Sequence, residues 1–171
     1  MNDTERLKEA LMNDTERLKE ALDYATGKHE GQCRIGGEPY ITHPVAVEKI
    51  VKEWGGDTDA RITALFHDLL EDTDAKEEEI EAIGGPEVLQ AVRLLTKKKG
   101  YDMAEYMSGI EGNAMAKLVK GADRLHNLQT AFCTDEKFKR KYIDETKKWY
   151  MDLAPGIADL VKRLEDSCKQ S

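Results

Sequence analysis

Asp57 to Thr73 reads DTDARITALFHDLLEDT, and the way this stretch folds decides the architecture. Asp57 or Thr58 can cap a helix running through about Asp72, because a short polar side chain satisfies the free N–H groups of a first turn. On a wheel of 100° per residue, Ile62, Leu65, Phe66, Leu69 and Leu70 occupy one side, and His67, Asp68, Glu71 and Asp72 the other. An ordinary surface helix shows the same pattern. The wheel therefore leaves two readings open: a solvated polar face, or an imidazole and several carboxylates gathered for chemistry.

Working outward, helix signals follow one another with short breaks. Pro44 opens a segment holding Val45, Val47, Ile50 and Val51 that Gly55-Gly56 stops. Asp74 begins a short acidic helix ending at Gly84-Gly85, Pro86 begins another through about Thr96, and Tyr101 to Ile110 forms one more. Asn113 caps a long helix through about Phe132, Asp135 another towards Leu153, and a last amphipathic helix follows Pro155-Gly156 with Ile157, Leu160, Val161 and Leu164. Strand alternation is missing. The pattern predicts an all-α domain whose longest irregular loop is Gly27 to Thr42, with Lys97-Lys98-Lys99-Gly100 as a basic corner.

Length and composition agree. The 171 residues suit one domain. A charged fraction of 35% with only four prolines favours a soluble helical protein. The net charge of −8 argues against a nucleic-acid partner, because phosphate backbones are held by clustered Lys and Arg. Cys33, Cys133 and Cys168 have no metal-type or redox-type spacing and read as bystander thiols. With no secretory segment and no long apolar run, a cytoplasmic location is expected, and no membrane partner.

At the front, Met1 to Leu11 reads MNDTERLKEAL and Met12 to Leu22 repeats it without change. Evolved structural repeats are longer and degenerate, so the identity points to a recent duplication, an alternative start or an added segment. The functional chain is expected to start near Met12. Residues 1–22 are read as an N-terminal helix containing the repeat, and residues 23–171 as the domain. Leu7, Leu11, Leu18 and Leu22 stay near one face if the helix runs through both copies.

Two further places can join His67 and Asp68. His43 stands before Pro44 at the entry to a helix, where a lone histidine is usually a capping or packing residue. Asp123, Asn127 and Thr130 fall at i, i+4 and i+7 on the long helix, with Arg124 between them; the plain alternative is an exposed polar edge. Taken together, His43, His67, Asp68 and Asp123 offer mixed nitrogen and oxygen ligands. Such a set suits Mn²⁺ or a related divalent ion better than a structural zinc, which favours thiolates.

His43, the His67-Asp68 pair and Asp123 resemble the H…HD…D signature of the HD phosphohydrolases. HEGQCRIGGEPYITHP (His29 to Pro44), HDLLEDT (His67 to Thr73) and KGADRLHNLQT (Lys120 to Thr130) are similar to three motifs of the hydrolase domain of RelA/SpoT enzymes, and ETKKWYMDLAP (Glu145 to Pro155) to a fourth segment. The resemblance covers roughly Ala21 to Pro155. It implies a single compact multi-helix HD-domain bundle of the stand-alone small alarmone hydrolase type, which removes the 3′-pyrophosphate of ppGpp or pppGpp with Mn²⁺.

Carried over, His43, His67, Asp68 and Asp123 are the expected metal ligands, and Glu71 and Asp72 the catalytic acids. Arg34 matches a position near the base, and Asn127 and Thr130 match positions lining the nucleoside pocket. Lys97 and Arg124 are expected to balance substrate charge, with Lys98, Lys99, Lys117 and Lys120 as further candidates; His29 and Gln32 are expected to support the loop. Ile35-Gly36-Gly37 departs from the family, which commonly has a basic or polar residue after the arginine. Two alternatives remain: an HD phosphohydrolase for ppApp, NADPH or a nucleoside phosphate, and a non-catalytic nucleotide-binding module.

Overall fold

A computed structural model describes residues 2–169, apart from the side chains of Ala10 and Met12. Ten helices follow one another among them: α1 (Asp3–Lys28), α2 (Thr42–Glu53), α3 (Thr58–Phe66), α4 (Leu69–Asp72), α5 (Glu77–Gly84), α6 (Pro86–Leu95), α7 (Met103–Glu111), α8 (Ala114–Ala131), α9 (Glu136–Trp149) and α10 (Ile157–Lys169). No strand is present among the described residues, only an isolated bridge between Cys33 and Pro39 in the loop after α1.

The helix starts follow the sequence. Asp57, Asp102, Asn113 and Asp135 each accept a hydrogen bond from the backbone N–H three residues on, at 2.8–2.9 Å, and Pro86 takes the first position of α6, where a missing N–H costs nothing. Boundaries move by a few residues. α2 begins at Thr42, two residues before Pro44, so His43 lies inside its first turn. α5 begins at Glu77 instead of Asp74, and α9 stops at Trp149 rather than near Leu153.

The larger departure is at His67. The continuous helix expected through Asp72 ends at Phe66, and the single turn α4 restarts at Leu69. Nor is α3 two-faced: Ala60 and every residue from Ile62 to His67 are buried. A helix apolar on most sides belongs in an interior. The solvated-face reading of His67 therefore fails on burial.

Three apolar clusters fill the bundle. Val47, Val51, Ala64, Leu95, Ile110, Val119 and Tyr150 form the central one. Ile62, Phe66, Leu69, Ile80 and Val88 form a second, capped by Ala21 and Ala25 of α1. Leu128, Ile143, Ile157 and Leu164 join α8 to α9 and α10 in the third. Helix α8 touches α2, α3, α6, α7, α9 and α10, so it is the axis on which functional residues from distant segments meet.

Small residues set how closely elements approach this axis. A Cβ on Gly121 of α8 would stand 2.9 Å from Ala154 Cβ and 3.2 Å from the Leu153 carbonyl oxygen, whereas one on Gly27 of α1 would meet nothing within 4 Å. Alanine gains roughly 1 kcal/mol over glycine in a helix interior, but overpacking against backbone costs about 1–3 kcal/mol. Urea unfolding should accordingly show Gly121→Ala destabilised by about 1–2 kcal/mol and Gly27→Ala stabilised by about 0.5–1 kcal/mol.

Candidate metal centre

His67 stands in the break between α3 and α4. Its Nδ1 lies 2.6 Å from the carbonyl oxygen of Ala64. A carbonyl only accepts, so Nδ1 carries the proton and Nε2 is left with a free lone pair. That Nε2 is buried and has no hydrogen-bond partner. An orphaned polar atom in the interior costs about 1–3 kcal/mol, and here it points among other donors.

Those donors come from α2, α8 and the turn between α3 and α4. His67 Nε2 is 3.0 Å from Asp68 Oδ2 and 3.6 Å from Asp123 Oδ1. His43 Nε2, from the first turn of α2, is 3.0 Å from Asp123 Oδ1 and 3.7 Å from Asp68 Oδ2. One donor atom each from His43, His67 and Asp123 falls within 4.8 Å of the others. Two imidazole nitrogens and two carboxylates thus converge in a nest buried between α2, α3 and α8. The chemistry of the set fits a divalent cation: nitrogen and oxygen donors, no thiolate, and lone pairs that otherwise face one another.

A surrounding layer holds each ligand. Tyr40 donates its hydroxyl to Asp68 Oδ2 at 2.5 Å. Asp123 accepts from Asn127 Nδ2 on Oδ1 at 2.7 Å and from Lys120 Nζ on Oδ2 at 2.9 Å. The Nδ1 atoms of His43 and His126 are 2.7 Å apart, with the rings stacked. Such contacts orient ligands and tune their basicity.

The electrostatics follow from the crowding. Burial would raise the Asp123 carboxyl, but Lys120 and the two histidines outweigh it and hold it well below the usual range. Burial likewise opposes ionisation of Asp68, and His67 beside it again wins, so this carboxyl also stays ionised. Burial pushes His67 down, yet Asp68 and Asp123 raise its proton affinity well above that of a free imidazole. For His43 burial prevails and the value falls. His126 drops to about 4 through burial and the nearby His43 and Arg34. A proton on His67 and a divalent ion therefore compete for one negative niche.

Glu71 and Asp72 leave α4 at the edge of the nest, both exposed. Burial raises the Glu71 carboxyl against the opposing hydrogen bond it accepts from the Lys97 backbone N–H. Asp72 is raised by burial and by Asp68. Gln32 ties this turn to the loop, donating to the Asp72 carbonyl at 2.7 Å while its own Oε1 lies 2.8 Å from His29 Nδ1.

On the other side a cleft of about 680 Å³ opens between the loop after α1 and helices α8 and α9, with Arg34, Ile35, Tyr40, Asn127, Thr130 and Tyr142 among its walls. Arg34 crosses it to Asn127 Oδ1 at 3.0 Å and Thr130 Oγ1 at 3.1 Å. Cys33 and Cys133 also line it, while Cys168 is buried in α10.

Two expected substrate residues lie elsewhere. Arg124 is buried; its guanidinium stacks on Tyr150 and Tyr142, 3.9 and 4.3 Å from the ring centroids, and pairs with Glu145 at 2.8 Å. It supports a cleft wall from behind instead of forming one. Lys97 stands beside Glu71 with its ammonium over Tyr101 and Tyr106. Sequence reasoning passed over Tyr40 and His126 entirely. Both lie inside the motifs quoted above, but a tyrosine in a loop and a histidine on a helix carry no sign of which ligand they will meet.

A buried His/Asp nest at the axis of an all-α bundle, opening beside a cleft, defines a helical metal-binding domain. The chain belongs to the HD-domain family: the family model described as HD domain matches residues 21–156. It is 37% identical over 156 residues to a probable guanosine-3′,5′-bis(diphosphate) 3′-pyrophosphohydrolase of Synechocystis, covering 84% of this chain and 20% of the relative. It is 34% identical over 155 residues to the guanosine-3′,5′-bis(diphosphate) 3′-pyrophosphohydrolase of Haemophilus influenzae, covering 83% and 23%. The chain thus spans about a fifth of the length of these curated relatives. A solved structure of a metazoan ortholog of SpoT, described as hydrolysing ppGpp with a role in starvation responses, matches at a TM-score of 0.67 and 31% identity, over 90% of this chain and 94% of that one.

Calorimetric titration with Mn²⁺ tests the nest. Asp68→Ala should abolish binding, because the remaining donors lose a carboxylate. Tyr40→Phe, which keeps every ligand and removes one hydrogen bond to Asp68, should weaken it roughly tenfold.

Proposed function

We propose that this domain hydrolyses the 3′-pyrophosphate of ppGpp or pppGpp, giving GDP or GTP and pyrophosphate, with Mn²⁺ held by His43, His67, Asp68 and Asp123. The observation that carries this reading is that nest and cleft share residues. Tyr40 and Asn127 line the cleft and also bond to Asp68 and Asp123. A nucleoside in the cleft therefore sets its ribose next to the nest. The relatives described above act on this substrate class by name, which supports the choice.

A divalent ion bound there supplies a Lewis acid that makes a water more acidic. Glu71 and Asp72 orient that water and take its proton; the raised Glu71 carboxyl is suited to hold it. With Glu71 Oε1 engaged by Lys97 N–H, Oε2 remains for the water. The water oxygen bonds to the phosphorus attached to the ribose 3′ oxygen, the bond from phosphorus to that oxygen breaks, and the 3′ oxygen takes up the proton that the acids removed from the water. Arg34, Asn127 and Thr130 hold the nucleoside, and Arg124 keeps Tyr142 in place as a wall. Lys97 balances charge beside Glu71. Three free thiols suit a reducing cytoplasm.

A second reading, hydrolysis of another nucleotide such as ppApp or NADPH, draws on one observation. Ile35 is 76% exposed at the cleft, where an apolar side chain holds no phosphate.

Product analysis with and without Mn²⁺ across ppGpp, ppApp, NADPH and nucleoside monophosphates separates the readings. We expect Mn²⁺-dependent pyrophosphate release, fastest from ppGpp; orthophosphate release would refute the bond assignment. Glu71→Ala should keep Mn²⁺ affinity and lose roughly 10²- to 10⁴-fold in kcat, and a fully active variant would remove Glu71 from the water-directing role.

A further inference from the structure

We propose that Lys120 is a positioning residue that acts through Asp123, setting a buried positive charge against the carboxylates of the nest where an anionic substrate approaches. The inference rests on the phosphohydrolase reading above.

Lys120 is on the buried side of α8, its side chain 12% exposed and its Nζ 2.9 Å from Asp123 Oδ2. The ammonium also lies 5.8 and 5.6 Å from the ring centroids of Tyr106 and Tyr150, whose faces favour a cation. A desolvated cation is expensive unless paired, and this one is paired with a metal ligand. Arg124 is close enough to oppose it, while Glu71 feels its attraction.

Asn127 Nδ2 already holds Oδ1 at 2.7 Å, whereas Lys120 bonds the other oxygen and does more than orient it. What Lys120 adds is charge. With neutral imidazoles, the carboxylates of Asp68 and Asp123 would balance a divalent ion, and the ammonium would then offset charge on the rim acid Glu71. A site of low dielectric amplifies such a charge at the point where a phosphoryl group gains negative character.

The test uses the full chain. Lys120→Met keeps the volume and removes the charge; Lys120→Gln removes the charge but can still donate to Asp123. Mn²⁺ affinity by calorimetry should be unchanged or tighter in both, since a repelling cation has gone, while kcat for ppGpp falls roughly 100-fold, the scale of losing one charge-stabilising donor. Lys120→Arg should recover most of the rate. Unchanged kcat in the neutral variants overturns the proposal, and so does Mn²⁺ affinity that falls in step with kcat, the signature of a purely structural cation. If Lys120→Met does not fold, Lys120→Gln decides alone. Should the wild type turn over none of the nucleotides, the functional reading has failed, and the Mn²⁺ affinities still judge Lys120: weaker binding in the neutral variants refutes the charge role.

Discussion

Two carboxylates, Asp68 and Asp123, are brought beside each other in the interior, and most of the local structure follows from keeping them there. Like charges sharing one buried site raise each other's cost, so each must be compensated. Tyr40 donates to one and Lys120 and Asn127 to the other, while His43 and His67 stand between them. The compensating groups come from four stretches of chain. The loop after α1, the first turn of α2, the end of α3 and the middle of α8 are therefore held in register by one electrostatic requirement.

The interrupted helix serves the same requirement. With Nδ1 on the Ala64 carbonyl, His67 turns Nε2 inward, and the chain restarts as α4, which carries Glu71 and Asp72 to the rim. The His and Asp side chains of the nest are thereby largely withdrawn from solvent, while the two acids are exposed. This division suits groups of which one kind must stay charged and the other exchange protons.

The cleft is built on a softer principle. Its loop wall hangs on a few side-chain bonds, with Arg34 reaching Asn127 and Thr130, and Gln32 reaching Asp72. Its opposite wall, around Tyr142, is stiffened from within by Arg124, whose charge is met by Glu145 and two aromatic faces. Nest and cleft meet at Tyr40 and Asn127, whereas Ile35, after Arg34, lines the cleft alone.

How much was legible in the sequence divides along physical lines. Helix order, the Asp and Asn caps and the apolar periodicity are local properties, and they produced an all-α bundle with boundaries a few residues astray. The ordered motifs also singled out His43, His67, Asp68 and Asp123, because residue type and spacing survive without coordinates. Nothing local announced the break at His67, the partnership of His126 with His43, or the burial of Arg124; each depends on an atom contributed by a distant segment. The repeat at the front makes the point most sharply. Leu7 and Leu18 occupy the same place in identical eleven-residue copies, yet Leu7 is 62% exposed while Leu18 packs on the core, and Arg17 pairs with Asp59 at 2.7 Å. Identical sequence gave both copies the same helix, and only the body of the protein, present beside one copy and absent beside the other, decided which would be buried.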